Sequence, residues 1–132
     1  MKAAWWTLGA LLMGWAAALF LAPEALSPFC AFICHQRPER SFHLGSVQMP
    51  VCARCTGLYV GAALALPLAT VIGSGLASDR ARKVFLIAAL PTALSWTLEF
   101  AGIAAFSNVA RFIAAVPLGL VAAWLVLGAL RD

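Results

Sequence analysis

Cys34, His35, Cys52 and Cys55 place three thiols and one imidazole in the stretch "CHQRPERSFHLGSVQMPVCARCTG", residues 34–57. Three thiolates with one imidazole form a tetrahedral zinc set, and C-x-x-C supplies two of the ligands from a single turn of chain. These four residues are expected to bind a metal ion, with zinc the expected cofactor. Cys34 and His35 are adjacent, so their side chains diverge, and His43 or Cys30 is the substitute for the fourth position. The same sulfurs allow a second chemistry. On an oxidising face, four cysteines can pair as Cys30–Cys34 with Cys52–Cys55, or in crossed form. A third reading is structural, in which zinc or a disulfide only staples an irregular loop to its scaffold.

The polar residues exceed what a staple needs. Gln36, Arg37, Arg40, His43 and Arg54 share the same stretch, and Glu99, Asn108 and Arg111 come from far along the chain. Arg40, Arg54 and Asn108 are expected to line a binding pocket. Glu99 and Arg111 are the catalytic candidates, with Glu99 as general base or charge partner and Arg111 orienting an anion. An ionisable residue inside an apolar segment is costly, which marks Glu99 as functional. The competing reading is a Glu99–Arg111 ion pair that ties two helix ends together. Arginines outnumber the glutamate, so the expected ligand is small and anionic, or lipid-soluble and electron-rich. C-x-x-C-T lacks the histidine of a c-type haem site, and neither a Gly-rich phosphate loop nor an acyl-transfer serine motif is present. Residue types this general fix no single reaction.

The chain that must position them has 132 residues, 64% hydrophobic and 11% charged. A soluble domain carries about 25% charged residues. The composition describes an all-α integral membrane protein in the lipid bilayer, a four-helix bundle forming one domain over residues 1–132. Its net charge of +4 is spread between apolar runs, as topology requires, and does not indicate a nucleic-acid partner. Residues 4–22, 51–77, 84–106 and 112–130 can each cross a core of roughly 30 Å, which takes about 20 residues. Their apolarity is continuous rather than alternating, which selects helices over a barrel. Pro67, Pro91 and Pro117 should kink the last three. The first run reads as a retained spanning helix, because it exceeds a signal peptide's apolar length and Pro23 follows its best small-residue site. Trp5, Trp6, Trp15, Trp96 and Trp124 read as interface anchors or packing.

The reactive loop, residues 23–50, joins helices one and two. Its opening "PEALSPFCAFIC" suits an interfacial helix with Cys30 and Cys34 on one side. With Pro50 as the first helical residue, Cys52 and Cys55 fall in the opening turn, where free N–H groups, the helix dipole and Arg54 favour thiolate. Gly57 and Gly61, spaced G-x-x-x-G, admit close approach of another helix and leave oligomerisation open. Antiparallel helices bring the reactive loop and residues 107–111 to one membrane face. With both termini cytoplasmic, Lys2, Arg80, Arg82, Lys83 and Arg131 oppose Arg37, Arg40, Arg54 and Arg111, and "SDRARK", residues 78–83, is the strongest stop signal as a compact loop.

"CHQRPERSF" (34–42), "CARCTGLYVG" (52–61) and "SNVAR" (107–111), with Gly119 after them, resemble a family of small prokaryotic polytopic membrane proteins of unknown function. Members usually carry an acidic residue in the third helix, the position that Glu99 occupies. The resemblance spans residues 34–119. It implies the fold, the prokaryotic cytoplasmic membrane and the importance of the site, and it implies no activity. The arrangement also looks like the quinone-linked enzymes that generate disulfides in bacterial envelopes, four-helix membrane proteins with C-x-x-C at the start of helix two. Under that redox reading the cofactor is a quinone. Here the second outward loop has no cysteine pair, and a shuttle leaves His35, Arg40 and Arg54 unexplained.

Overall fold

The computed structural model describes residues 2–73 and 76–131. Lipid offers the backbone no water, so each apolar run satisfies its own N–H and C=O groups as a helix. The elements in order are α1 (Lys2–Leu21), the short α2 (Pro23–Cys30), a single 3-10 turn (Pro38–Arg40), β1 (His43–Leu44), β2 (Val47–Gln48), α3 (Ala53–Ile72), α4 (Ser78–Phe100) and α5 (Asn108–Arg131). Helices α1, α3, α4 and α5 are long and apolar enough to cross a membrane, as expected of a four-helix bundle.

Hydropathy misplaced several helix ends, because it marks the edge of the hydrocarbon and not the end of hydrogen bonding. "SDRARK", expected as a loop, forms the first turns of α4, entered by the Ala81 N–H bond to the Ala77 carbonyl at 2.9 Å. Helix α3 ends at Ile72, and the expected run to residue 77 includes Ser74 and Gly75, which lie outside the described residues. Helix α4 stops at Phe100 instead of 106. Gly102 takes φ 71°, its N–H donates to the Glu99 carbonyl (3.1 Å), and the Ile103 N–H donates to that of Leu98 (3.0 Å). This is the Schellman termination, which glycine adopts without a Cβ penalty. Helix α5 starts at Asn108, ahead of the expected 112, because Ser107 caps it and accepts the Ala110 N–H at 3.2 Å. Pro67, Pro91 and Pro117 lie inside helices that continue through them. In the turn before Pro117, the Thr92 hydroxyl donates to the Ala114 carbonyl (2.8 Å), a cross-helix bond where proline weakens the ladder.

Helices α3 and α5 form the central pair. The buried residues of α3 include Ala53, Gly57, Gly61, Ala65 and Ala69, and those of α5 include Ala115, Gly119, Ala123 and Leu127, both at four-residue spacing. Association in lipid rests on close packing rather than on hydrophobic exclusion, so stripes of small residues are the contact surface. Gly57 and Gly61 back onto the carbonyls of Phe112 and Val116, and Gly119 backs onto that of Leu58. The helix that the G-x-x-x-G pattern admits is thus α5 of the same chain. Helix α1 packs on both members of this pair, whereas α4 leans on α5 and scarcely touches α3.

The two ends of the bundle have separate cores. Trp5, Ala65, Leu66, Ala69, Ala123 and Leu127 pack at one end. There Lys2, Thr70 and Arg131 line a common hollow, which places both chain ends beside the end of α3. Leu19, Cys30, Met49 and Val51 pack at the other, under the reactive loop. The Asn108 side chain donates to the Ser41 carbonyl at 3.1 Å. The reactive loop and the start of α5 therefore share one face, as antiparallel order requires.

Candidate functional site

Helix α2 carries on past Cys30 by one further turn, with the Cys34 N–H on the Cys30 carbonyl at 2.9 Å. The chain then reverses at Gln36, which holds φ 49°. That left-handed conformation costs a non-glycine residue of order 1 kcal/mol and persists only where the surroundings impose it. Here they do. Gln36 Nε2 donates to the carbonyls of Ser27 (2.7 Å) and Pro50 (2.8 Å), and Gln48 Nε2 donates to the Gln36 carbonyl (2.7 Å). These three bonds clip the end of α2 to the segment entering α3. Met49 and Val51, both fully buried, anchor that segment from below.

The clip brings Cys34 beside the C-x-x-C pair. The sulfurs of Cys34, Cys52 and Cys55 lie within 4.8 Å of one another. Cys52 is the N-cap of α3, and its N–H donates to Cys34 Sγ at 3.1 Å. A hydrogen bond from the Cys55 thiol, against the opposing effect of burial, brings the Cys52 thiol down to about 5, and first-turn N–H groups add to the fall. Sulfurs around one tetrahedral zinc stand about 3.8 Å apart at a Zn–S length of about 2.3 Å. The trio needs at most about 1 Å of closure to reach that separation. Donor chemistry and spacing both fit a soft metal ion.

Beside the trio, α3, α4 and α5 meet through three charged side chains. Glu99 Oε1 accepts from Arg111 Nε (2.8 Å), Arg111 Nη2 (2.6 Å) and the Phe106 N–H (3.1 Å). Its other oxygen, Oε2, is paired with Arg54 Nη2. Side-chain exposures are 7% for Glu99, 13% for Arg54 and 11% for Arg111, so this is a part-buried Arg–Glu–Arg group. Arg111 Nη1 also donates to Asn108 Oδ1 at 2.7 Å. Arg54 Nε is buried and has no partner among the described residues. These contacts flank a cleft of about 630 Å³. Cys34, Cys52 and Cys55 line it together with Arg37, Arg40, Arg54 and Arg111, and Leu58, Trp96 and Phe100 form apolar wall.

Of the residues expected to bind metal, Cys34, Cys52 and Cys55 come together, while His35 stands outside the trio, exposed on the cleft lining. Neighbouring side chains on non-helical backbone point apart, so an inward Cys34 turns His35 outward. His43 is exposed on β1, and Cys30 is sealed in the apolar core, where burial pushes its thiol up. Arg40 and Arg54 line the cleft. Asn108 does not, because its amide is spent between Ser41 and Arg111. Glu99 meets Arg111 as the ion-pair reading requires, but it also holds Arg54. From the sequence Gln36 was only one of the surplus polar groups and Trp96 only an interface anchor or packing residue, and Phe100 was not singled out. The four-residue spacing of Thr92, Trp96 and Phe100 on α4 was the available signal for the wall.

The sequence profile of a family described as "Predicted membrane protein (DUF2085)" matches residues 34–125. An uncharacterized protein of Methanothermobacter thermautotrophicus is 33% identical over 89 residues, which cover 67% of this chain and 79% of that protein. An uncharacterized protein of Methanocaldococcus jannaschii is 37% identical over 84 residues, covering 63% of this chain and 54% of the relative. The chain thus spans about half the length of that second relative. No solved structure matches. The profile takes in every site residue from Cys34 to Arg111 and leaves α1 outside.

Proposed function

The chain belongs to the DUF2085 family of predicted membrane proteins, and on that premise we propose that it is a multi-pass metalloprotein of the cytoplasmic membrane. Cys34, Cys52 and Cys55 would hold the ion where they line the cleft, and thiolate donors favour zinc among the common ions. The observation that carries this reading is the convergence of three sulfurs from two chain segments within 4.8 Å, beside an arginine-rich cleft. Structural zinc is closed by four protein ligands, whereas catalytic zinc keeps a position open. A trio without His35 corresponds to the open kind, which would leave a position for an anionic ligand from the cleft. When bound, the metal supplies Lewis-acid polarisation of that ligand.

Arg40, Arg54 and Arg111 bind the anion. Glu99 anchors two of them instead of acting as general base, because both its oxygens are engaged. The termini face the cytoplasm, with Lys2, Arg80, Arg82, Lys83 and Arg131 at that end.

The test is a metal and thiol count on the full chain purified without added oxidant. The reading expects about one zinc per chain, and thiols free after denaturation in chelator. Serine at Cys34, Cys52 or Cys55 removes the metal, and Cys30→Ala retains it. A metal-free protein with Cys52 and Cys55 joined as a disulfide would overturn the reading in favour of a quinone-linked thiol–disulfide oxidoreductase.

A further inference from the structure

We propose that the cleft is a lateral site for an anionic amphiphile, a lipid phosphate monoester, which enters between α3 and α4 from the bilayer. The inference deepens the proposed function by naming the cleft's occupant, and it rests on the arginine cleft of that reading, whether or not the metal is bound.

The first observation is the packing. Helices α3 and α4 both have the length and apolarity of spans, yet α4 rests on α5 and leaves a gap towards α3. The cleft occupies that gap. Its lining on α4 runs from Phe100 to Thr92, two turns of helix and about 12 Å at 1.5 Å per residue. It therefore runs from the capped end of the bundle about two turns along the spanning part of α4. Ile33, Leu58, Trp96 and Phe100 line it with carbon, and Trp96 and Phe100 stack on each other at 5.2 Å. A freely dissolved anion has no use for such walls. An acyl or prenyl chain does.

The second observation is charge. Arg37, Arg40, Arg54 and Arg111 line the polar end, and Glu99 is the counter-ion of two of them. Four arginines against one carboxylate leave this end of the cleft net positive, as a phosphate monoester bearing about 1.5 to 2 negative charges at neutral pH requires. Arg54 donates through Nη2 only, to Glu99 and Ser95, so its remaining N–H groups have no acceptor among the described residues. Glu99 holds Arg54 and Arg111 in place, so the two guanidiniums lose little freedom when a phosphate binds. The head group would sit next to the thiol trio, which lines the same cleft.

The experiment reconstitutes the full chain in phosphatidylcholine nanodiscs containing brominated phosphatidic acid, brominated diacylglycerol or brominated phosphatidylcholine. Bromine quenches a nearby indole, and subtracting the Trp96→Phe variant isolates Trp96. Phosphatidic acid should quench Trp96 at a roughly tenfold lower mole fraction than diacylglycerol, the worth of about one charge-assisted contact. Arg40→Gln, which touches none of the Glu99 pairs, should raise that mole fraction about tenfold while leaving helical circular dichroism and metal content unchanged. The exposed Arg37→Gln is a second variant expected to move it in the same direction. Equal quenching by the three lipids, no quenching, or displacement by an equal concentration of inorganic phosphate would overturn the proposal. Metal content measured on the same samples separates the two readings. Head-group-dependent quenching without metal would keep the amphiphile and remove the zinc, and bound metal without it would do the reverse.

Discussion

Glu99→Gln keeps the shape of the side chain and removes its charge. The carboxylate serves Arg111 and the Phe106 N–H through one oxygen and Arg54 through the other. The amide oxygen of glutamine can replace one of these acceptors. Its NH₂ must then face a guanidinium, which only donates. Whichever way the amide points, one arginine loses its acceptor, and both arginines lose their counter-charge. At side-chain exposures of 13% and 11%, water does little to compensate them. Removing one partner of a buried pair costs about 3–5 kcal/mol. At several degrees per kcal/mol, Tm should fall on the order of 10 °C. The assay is loss of helical circular dichroism on heating in detergent, with metal content read alongside. Arg54→Met combined with Glu99→Gln should cost less than the sum of the two single changes, with a coupling of about 1–3 kcal/mol. An unchanged Tm in Glu99→Gln, with metal retained and biological activity lost, would refute this reasoning and make Glu99 a free catalytic carboxylate.

Three further outcomes follow from the packing and the loop. Gly61→Ala sets a methyl group against the Val116 carbonyl and should destabilise by about 1–3 kcal/mol, whereas Gly14→Ala, where a Cβ meets nothing within 4 Å, should be neutral or stabilising in the same melt. Gln36→Gly keeps the left-handed turn but removes the clip to Ser27 and Pro50, so it should lower zinc retention against a competing chelator while leaving the helical circular dichroism intact. In metal-free protein, Cys52 becomes thiolate as pH rises through about 5, so iodoacetamide should label it at pH 6, where an ordinary thiol scarcely reacts. Peptide mapping would identify the residue.

Much of the fold is legible in the composition alone. Lipid leaves a chain with 11% charge little choice but spanning helices, and antiparallel order then places Cys34, Cys52, Glu99 and Arg111 at one end. Helix ends were less legible. The termination at Gly102 and the cap at Ser107 are local backbone events that a hydropathy run does not register, and the charges of "SDRARK" sit on helix. The link between Arg54 and Glu99 was hidden because it depends on how α4 leans on α5, which no spacing encodes. Gln36 looked like one more polar loop residue. Its role comes from a positive φ and two carbonyl partners distant in sequence. Trp96 read as an interface anchor or packing residue because nothing in α4 alone says that α3 stands off from it.

X-ray absorption at the zinc edge of the purified full chain reads directly whether the three cysteines hold a metal ion. The expected spectrum shows zinc with three sulfur neighbours at about 2.3 Å and one lighter ligand, and Cys34→Ser, Cys52→Ser and Cys55→Ser should show no bound zinc. A protein that carries no metal when isolated and takes up none on addition of zinc to its reduced form would contradict it.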